Sequence, residues 1–254
     1  MPETALQIRG VRKEFRGFLA LENIDLTVGR GEFVCLLGPS GCGKSTLLNA
    51  IAGFALPTSG EILAFRKPVR QPEPERAMVF QEYALFPWMT VRDNVAFGLQ
   101  IRGDPQARAK ADALLDKLSL RGFGDRFPKD LSGGMRQRVA LARCLALDAP
   151  MLLMDEPFGA LDALTRRSMQ DELLRIWTEL QQTIVFVTHG IEESLILADR
   201  VVVMTYRPGT VKKIIPVTLA RPRDETTPEF SAALRAITQL VREEQRRHEK
   251  AEQT

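Results

Sequence analysis

The chain reads as an α/β protein built on a mainly parallel sheet. Short, uniformly apolar runs recur: FVCLL (Phe33 to Leu37), MLLM (Met151 to Met154), IVFV (Ile184 to Val187) and VVVM (Val201 to Met204). Such runs suit strands buried on both faces, the usual state of parallel sheets. Amphipathic helical patterns separate most of them, as crossover connections demand. An all-helical block near 91–149 reads as an insertion between two α/β parts.

Taken in order, LQIRGV, NIDLTV and EFVCLL read as strands, separated by Gly and charged turns such as Val28-Gly29-Arg30-Gly31. KSTLLNAIAG follows as a helix with Gly53 as its stop. GEILAF and AMVFQ are further strands, and Pro57, Pro68, Pro72, Pro74 and Pro87 keep any helix between Leu56 and Trp88 very short. In the helical block, Asp104-Pro105 starts a helix with Ala111, Leu114, Leu115 and Leu118 on one side. A Ser-Gly-Gly turn precedes a second helix, RQRVALARCLAL. After strand MLLMD, a helix over Leu164 to Leu180 places Leu173, Leu174, Trp177 and Leu180 together. TIVFVT, IEESLILA, RVVVM and TVKKIIPV continue the alternation. The last helix aligns Phe230, Leu234, Ile237 and Val241, and its end, REEQRRHEK with His248, reads as a solvated charge run.

The 254 residues include 44% apolar and 26% charged side chains, an ordinary globular balance with enough length for a buried core. Lys and Arg number 35 against 32 Asp and Glu, so the net charge of +3 points neither to nucleic acid nor to anionic lipid. Cys35, Cys42 and Cys144 are an odd, widely spaced set with no metal spacing, which predicts a reducing compartment. No apolar run approaches the roughly 20 residues of a membrane span, and MPETALQIRG has no apolar signal-peptide core.

Chemistry concentrates at Gly38-Pro39-Ser40-Gly41-Cys42-Gly43-Lys44-Ser45, which fits G-x-x-x-x-G-K-[ST] between an apolar strand and a helix. Glycines let the backbone curl until successive N–H groups face phosphates, and the helix adds its positive end. Lys44 suits the β- and γ-phosphates of a bound nucleotide, and the Ser45 hydroxyl suits Mg²⁺. Asp155 and Glu156 leave the end of MLLMD, where open α/β sheets bind ligands. Asp155 suits Mg²⁺, and Glu156 suits the general base for water. The position of Cys42, beside Lys44 and a helix N-terminus, predicts the most reactive of the three thiols.

Leu131-Ser132-Gly133-Gly134-Met135-Arg136-Gln137-Arg138, together with the phosphate loop and MLLMDEP, resembles the ATP-binding subunits of ABC transporters over about residues 5–220. The resemblance implies one ATP-binding domain over 1–254. It would comprise a P-loop ATPase core with an antiparallel β-subdomain (1–90 and 150–220), an inserted α-helical subdomain (91–149), and a C-terminal helix and tail (221–254). It implies ATP and Mg²⁺ as ligands, with Thr46 joining the phosphate loop. Phe15 matches the aromatic that stacks on adenine, with Phe18 as competitor. Gln81 matches the glutamine that touches Mg²⁺ and water, Asp162 in GALD the D-loop, and His189 the histidine that contacts the γ-phosphate. Ser132, Gly133 and Gly134 would close over ATP held by a second subunit, giving a head-to-tail homodimer. Two departures stand out. Met135 replaces the usual Gln, and Gly190 stands where Asp is commoner, which puts the hydrogen bonding around His189 in question.

GPSGCGKSTLLNAIAGF, FQEYALFPWMTVRDNVAFGL, LSGGMRQRVALARCLA and YRPGTVKKIIPVTLARPRD with PEF resemble the nitrate, sulfonate and taurine import branch. That implies an ATP-hydrolysing subunit, peripheral on the cytoplasmic face of the inner membrane. It would dock through exposed Leu85, Phe86 and Trp88 to transmembrane permease subunits, and act indirectly with a periplasmic or lipoprotein solute-binding protein. At this length the chain is expected to be too short for the extra C-terminal β-domain of sugar-import ATPases. Alternatives are an importer of another small solute, such as a vitamin precursor, or a non-transport soluble ABC ATPase. A pure binding module fits poorly with Glu156 and His189 both in place.

Overall fold

The computed structural model describes residues 3–252. They divide into two compact units, one holding residues up to Glu73 and from Gln181 onward, the other Pro74–Leu180.

The first unit opens with β1 (Thr4–Phe15) and β2 (Phe18–Gly29), an antiparallel hairpin. Arg16 and Gly17 both have positive φ, the conformation a two-residue hairpin turn demands. The strands are longer than LQIRGV and NIDLTV suggest, because register shifts between Ile8 and Lys13 absorb the interruption at Gly10. With β4 (Ser59–Ala64) and β5 (Lys67–Pro68) they form an antiparallel sheet in the order β2-β1-β4-β5.

The parallel part rests on β3 (Phe33–Leu37), buried along its whole length. It lies between β8 (Thr183–Thr188) and β9 (Arg200–Met204), parallel to both, and β10 (Val211–Pro216) pairs antiparallel with β9. Phe33 and Phe186 meet with ring centroids 5.9 Å apart. α1 (Lys44–Ala52) follows β3, α6 (Ile191–Leu197) follows β8, and α7 (Pro228–Glu252) ends the described chain. Phe230 and Ile237 of α7 are buried as their spacing predicts, while Leu234 and Val241 are half-buried.

One expectation fails in α7. Glu244, inside the run read as solvated, is fully buried. Its carboxylate pairs with Lys212 of β10 at 2.8 Å and accepts a hydrogen bond from the Tyr206 N–H at 3.1 Å. A buried charge needs such partners, and they come from a distant turn and strand that a linear reading does not bring to the helix. The side chain of His248 lies outside the described residues.

In the second unit β6 (Arg76–Val79) and β7 (Met151–Asp155) pair in parallel. Around them stand α2 (Val91–Ile101), α3 (Ala107–Lys117), α4 (Gly133–Leu145) and α5 (Ala163–Leu180), with α2 packed on α3 and α4. Ala111, Leu115, Leu118, Leu173 and Trp177 are buried as predicted, whereas Leu180 is exposed. Thr90 caps α2 by accepting from the Asp93 N–H. Arg92 bridges Asp112 and Asp125, and Arg138 pairs with Glu172 across α4 and α5 at 3.1 Å. Among the described residues no helix is long and apolar enough to cross a membrane.

The C-terminal end of α6 depends on one buried cation. Arg223 donates to the carbonyls of Leu195, Ile196 and Ala198, and also to those of Val217 and Leu219. Burial lowers its guanidinium to about 10, so it remains charged at neutral pH. Arg223→Met leaves helix-end carbonyls without donors and is expected to cost about 2–4 kcal/mol. Urea unfolding of both proteins measures this, and a loss below about 1 kcal/mol would contradict the role assigned to Arg223.

Candidate nucleotide-binding site

The phosphate loop leaves the C-terminal end of β3 and enters α1 at Lys44. Gly43, the residue before the helix, has φ 96, and a Cβ there would lie 2.7 Å from Leu21 Cδ2. Only glycine tolerates both the left-handed backbone and that approach to β2. At Gly38 a Cβ would meet Cys42 Sγ at 2.8 Å, so the two ends of the loop pack tightly on each other. Ser40, Gly41 and Ser45 face solvent, Pro39 and Thr46 are half-buried, and Lys44 is only 5% exposed. Its ammonium donates to the carbonyls of Gly38 at 2.8 Å and Pro39 at 3.0 Å, curling over the loop it belongs to. The curl, the helix start and the lysine form a donor set that fits a polyphosphate.

His189 shares this edge. Leu37 pairs with Thr188 in parallel register, so Gly38 and His189 each follow the end of one of two adjacent strands. The hydroxyl of Thr188 accepts from the Gly190 N–H at 2.9 Å and donates to Glu193 at 2.5 Å. That arrangement fixes the turn without an Asp at 190, and His189 projects to solvent from it. Phe15 and Phe18 face each other across the hairpin end and are 45% and 46% exposed. Lys13 lies over the Phe15 ring at 4.8 Å and is itself held by the Leu56 carbonyl. Arg207 lies over Phe18 at 5.1 Å.

The other candidates belong to the second unit. Val79 pairs with Met154, so Gln81 and the Asp155-Glu156 pair also follow neighbouring parallel strand ends. Gln81 is exposed, Asp155 and Glu156 are half-buried, and Glu156 has φ 43. Gln81 and Asp155 offer hard oxygen donors here, as Ser45 does in the first unit, and donors of that kind suit Mg²⁺. No cluster of three or more His, Cys, Asp or Glu side chains able to hold a metal occurs among the described residues.

Ser132 is the N-cap of α4, its hydroxyl accepting from the Met135 N–H at 3.3 Å. Met135 thus contributes its backbone, which its side chain does not alter. The helix begins at Gly133, and Gly134 packs so closely that a Cβ would lie 2.6 Å from Thr165 Cγ2. Asp162 accepts from the Thr165 N–H at 3.0 Å at the start of α5, and this backbone hydrogen bond holds its carboxyl below the usual range.

Two residues that the sequence did not flag shape the segment after Gln81. Arg143 of α4 donates to the carbonyls of Ala84 at 2.7 Å and Tyr83 at 3.1 Å, both residues with positive φ. Asn94, fully buried, accepts from the Phe86 N–H and donates to the carbonyls of Phe86, Met89 and Thr90. Arg143 reaches a turn far away in sequence, whereas Asn94 binds backbone groups of the turn just before its own helix, a role that its place on the helix does not announce. The segment so held presents Trp88 at 71% exposure, but Leu85 and Phe86 are half-buried, and Phe86 packs on Phe97 at 4.7 Å. The exposure expected of those two is corrected accordingly.

The activation expected of Cys42 from Lys44 and the helix N-terminus is corrected in direction, while its rank among the three thiols is not overturned. Burial raises its thiol above the ordinary value and outweighs the opposing charge of Lys44. Burial raises Cys35 well above normal and Cys144 to about 11. Thiol titration of the native chain is therefore expected to find no fast cysteine at neutral pH, and all three to react after unfolding. Rapid native labelling of Cys42 would show that Lys44, not burial, controls it.

Comparison with known proteins places this geometry. The family model described as ABC transporter matches residues 21–159, more than half of the chain. The taurine import ATP-binding protein TauB of Roseobacter denitrificans is 52% identical over 196 residues, covering 76% of this chain and 73% of that protein. The aliphatic sulfonates import ATP-binding protein SsuB of Bacillus subtilis is 46% identical over 220 residues, covering 87% and 86%. Among solved structures, the cassette MJ0796 in a dimeric post-hydrolysis state with ADP and Pi is 31% identical, with a TM-score of 0.74 over 84% of this chain and 98% of that one. A family model over more than half of the chain, together with relatives of this identity and coverage, shows that the chain belongs to the ABC transporter family, as one of its ATP-binding, ATP-hydrolysing subunits.

Proposed function

We propose that this subunit powers import of a small taurine- or sulfonate-like solute through a separate membrane permease. The observation that carries the reading is the placement of the Lys44 loop and His189 on adjacent parallel strand ends, with Gln81 and the Asp155-Glu156 pair arranged likewise in the second unit. Sequence similarity to taurine and sulfonate import subunits supports the solute class.

In this reading adenine stacks on Phe15, and the amides of Gly38, Pro39, Ser40, Gly41, Cys42, Gly43, Lys44, Ser45 and Thr46 take up the phosphates. Lys44 exchanges its loop carbonyls for phosphate oxygens. Ser45, Gln81 and Asp155 would hold Mg²⁺, which would neutralise charge on the phosphates. Glu156 removes a proton from water as its oxygen attacks the γ-phosphorus. The bond from that phosphorus to the β–γ bridging oxygen breaks, and ADP carries the electron pair away. His189 hydrogen-bonds the γ-phosphate, and Gln81 orients the water.

Ser132, Gly133, Gly134 and Asp162 act on ATP held by a second copy, so two chains close head-to-tail and reopen after hydrolysis. The exposed Trp88 segment docks the permease and thereby attaches the protein to the cytoplasmic face of the membrane. A solute-binding protein on the far side delivers the cargo.

Glu156→Gln is expected to reduce steady-state ATP turnover by about 10²–10⁴-fold while leaving ATP binding intact. Retained turnover would remove Glu156 from the base role. Light scattering is expected to find Glu156→Gln with ATP as a dimer and the Ser132→Arg/Glu156→Gln double variant with ATP as a monomer. A double variant that still dimerises would rule out action of Ser132 across the interface.

A further inference from the structure

Arg207 stands in the turn between β9 and β10, against the phosphate loop. Its Nε donates to the Gly41 carbonyl at 3.2 Å. The guanidinium lies over the rings of Phe18 at 5.1 Å and Tyr206 at 5.5 Å, within cation–π range of both. Among the described residues its partners are two rings and a carbonyl, so no carboxylate offsets its charge beside the loop.

The turn carrying it is fixed from several sides. The Gly209 N–H donates to the Ala20 carbonyl at 2.9 Å, and the Glu22 N–H donates to the Gly209 carbonyl at 3.0 Å. The Thr205 hydroxyl accepts from the Thr210 N–H and donates to the Pro208 carbonyl. The Tyr206 N–H reaches the buried carboxylate of Glu244, itself paired with Lys212. Arg207 therefore extends from a base anchored to both β2 and α7.

We propose that Arg207 is a positioning residue for the phosphate loop. In a trans peptide the C=O and the following N–H point in opposite directions. A donor fixed on the Gly41 oxygen thus sets the direction of the Cys42 N–H, one of the amides assigned to the phosphates. The Cys42 N–H donates to the Pro39 carbonyl at 3.3 Å, a long contact that a phosphate oxygen would replace, so the peptide is held at both ends until the nucleotide takes over that donor. The charge of Arg207 also adds a favourable field for a polyanion, and its two rings leave it little freedom to move away. The inference rests on the nucleotide-binding reading above and adds a residue to it.

Calorimetric titration of the full chain with Mg-ATP tests it. Arg207→Ala is expected to weaken binding by about 5- to 20-fold, the effect of losing one charge-assisted hydrogen bond at a binding loop. The KM for ATP should rise by a similar factor, with kcat at saturating ATP and the melting temperature unchanged. Arg207→Lys, which keeps the charge and one donor, should recover most of the affinity. Arg242→Ala, an exposed charge loss on α7, should leave affinity as in the wild type. Equal affinity in Arg207→Ala and wild type overturns the proposal, as does a fall in kcat and melting temperature without a rise in KM. A loss in Arg242→Ala matching that in Arg207→Ala also overturns it, because overall charge would then explain both. A wild-type chain that binds no Mg-ATP would instead overturn the nucleotide-binding reading itself.

Discussion

The curled backbone from Gly38 to Gly43 is the constraint that the nucleotide-bearing unit is arranged to satisfy. A polyanion bound through main-chain N–H groups gains most when those groups are aimed in advance, because reorienting them would consume part of the binding energy. β3 supplies the rigid origin, since it is buried from Phe33 to Leu37 and pairs on both sides. Its end cannot shift without disturbing β8 and β9 together. The contact of Gly43 with Leu21 then fixes where the helix starts, and the Lys44 ammonium braces the loop from within through two carbonyls. The apolar strands thus serve the polar site by denying it freedom.

The second unit meets a similar demand with polar clamps. The positive φ values at Tyr83 and Ala84 place the segment after Gln81 in a conformation most side chains avoid. Arg143 and Asn94 compensate by binding the carbonyls and amide of that segment. Burial lowers the guanidinium of Arg143, yet its two carbonyl partners keep a charged donor useful there. α4 therefore does two things with one rigid body. Its N-terminus is capped by Ser132, and ten residues on from Gly133 it grips the turn beyond β6. One helix thus carries both the Ser132 cap and the Arg143 clamp.

Regular patterns made much of this legible. The apolar runs located β3, β7, β8 and β9, and the i, i+4, i+7 spacing located α5 and α7, because burial imposes those periods directly. The phosphate loop was legible because its glycines meet local steric limits that any homologous turn shares. What escaped was set by side-chain packing and hydrogen bonds that periodicity does not encode. Phe86 reads as an exposed aromatic until Phe97 and Asn94 are seen around it. Cys42 reads as an activated thiol because Lys44 is two residues away, yet burial by packing that the linear chain does not show determines the direction of its shift. The hydrogen bonding near Gly190 was open for another reason: its partners, Thr188 and Glu193, are near in sequence, but only the folded turn shows which side chain stands in for an Asp.

Glu244 carries that lesson into the energetics of the unit. A carboxylate fully buried in the charged end of a helix is unfavourable unless its partners are good, and replacing such a pair with apolar side chains often loses no stability. Its retention is easier to understand through what it holds than through what it contributes to folding. Lys212 balances its charge, and its second oxygen receives the Tyr206 N–H. Tyr206 and Arg207 are adjacent, so α7 fixes the backbone from which the guanidinium reaches Gly41. An apolar substitute could pack in the same space, but it could not orient that amide. Helix α7 is in this sense part of the nucleotide-binding unit, and its buried carboxylate is the polar contact through which it reaches the phosphate loop.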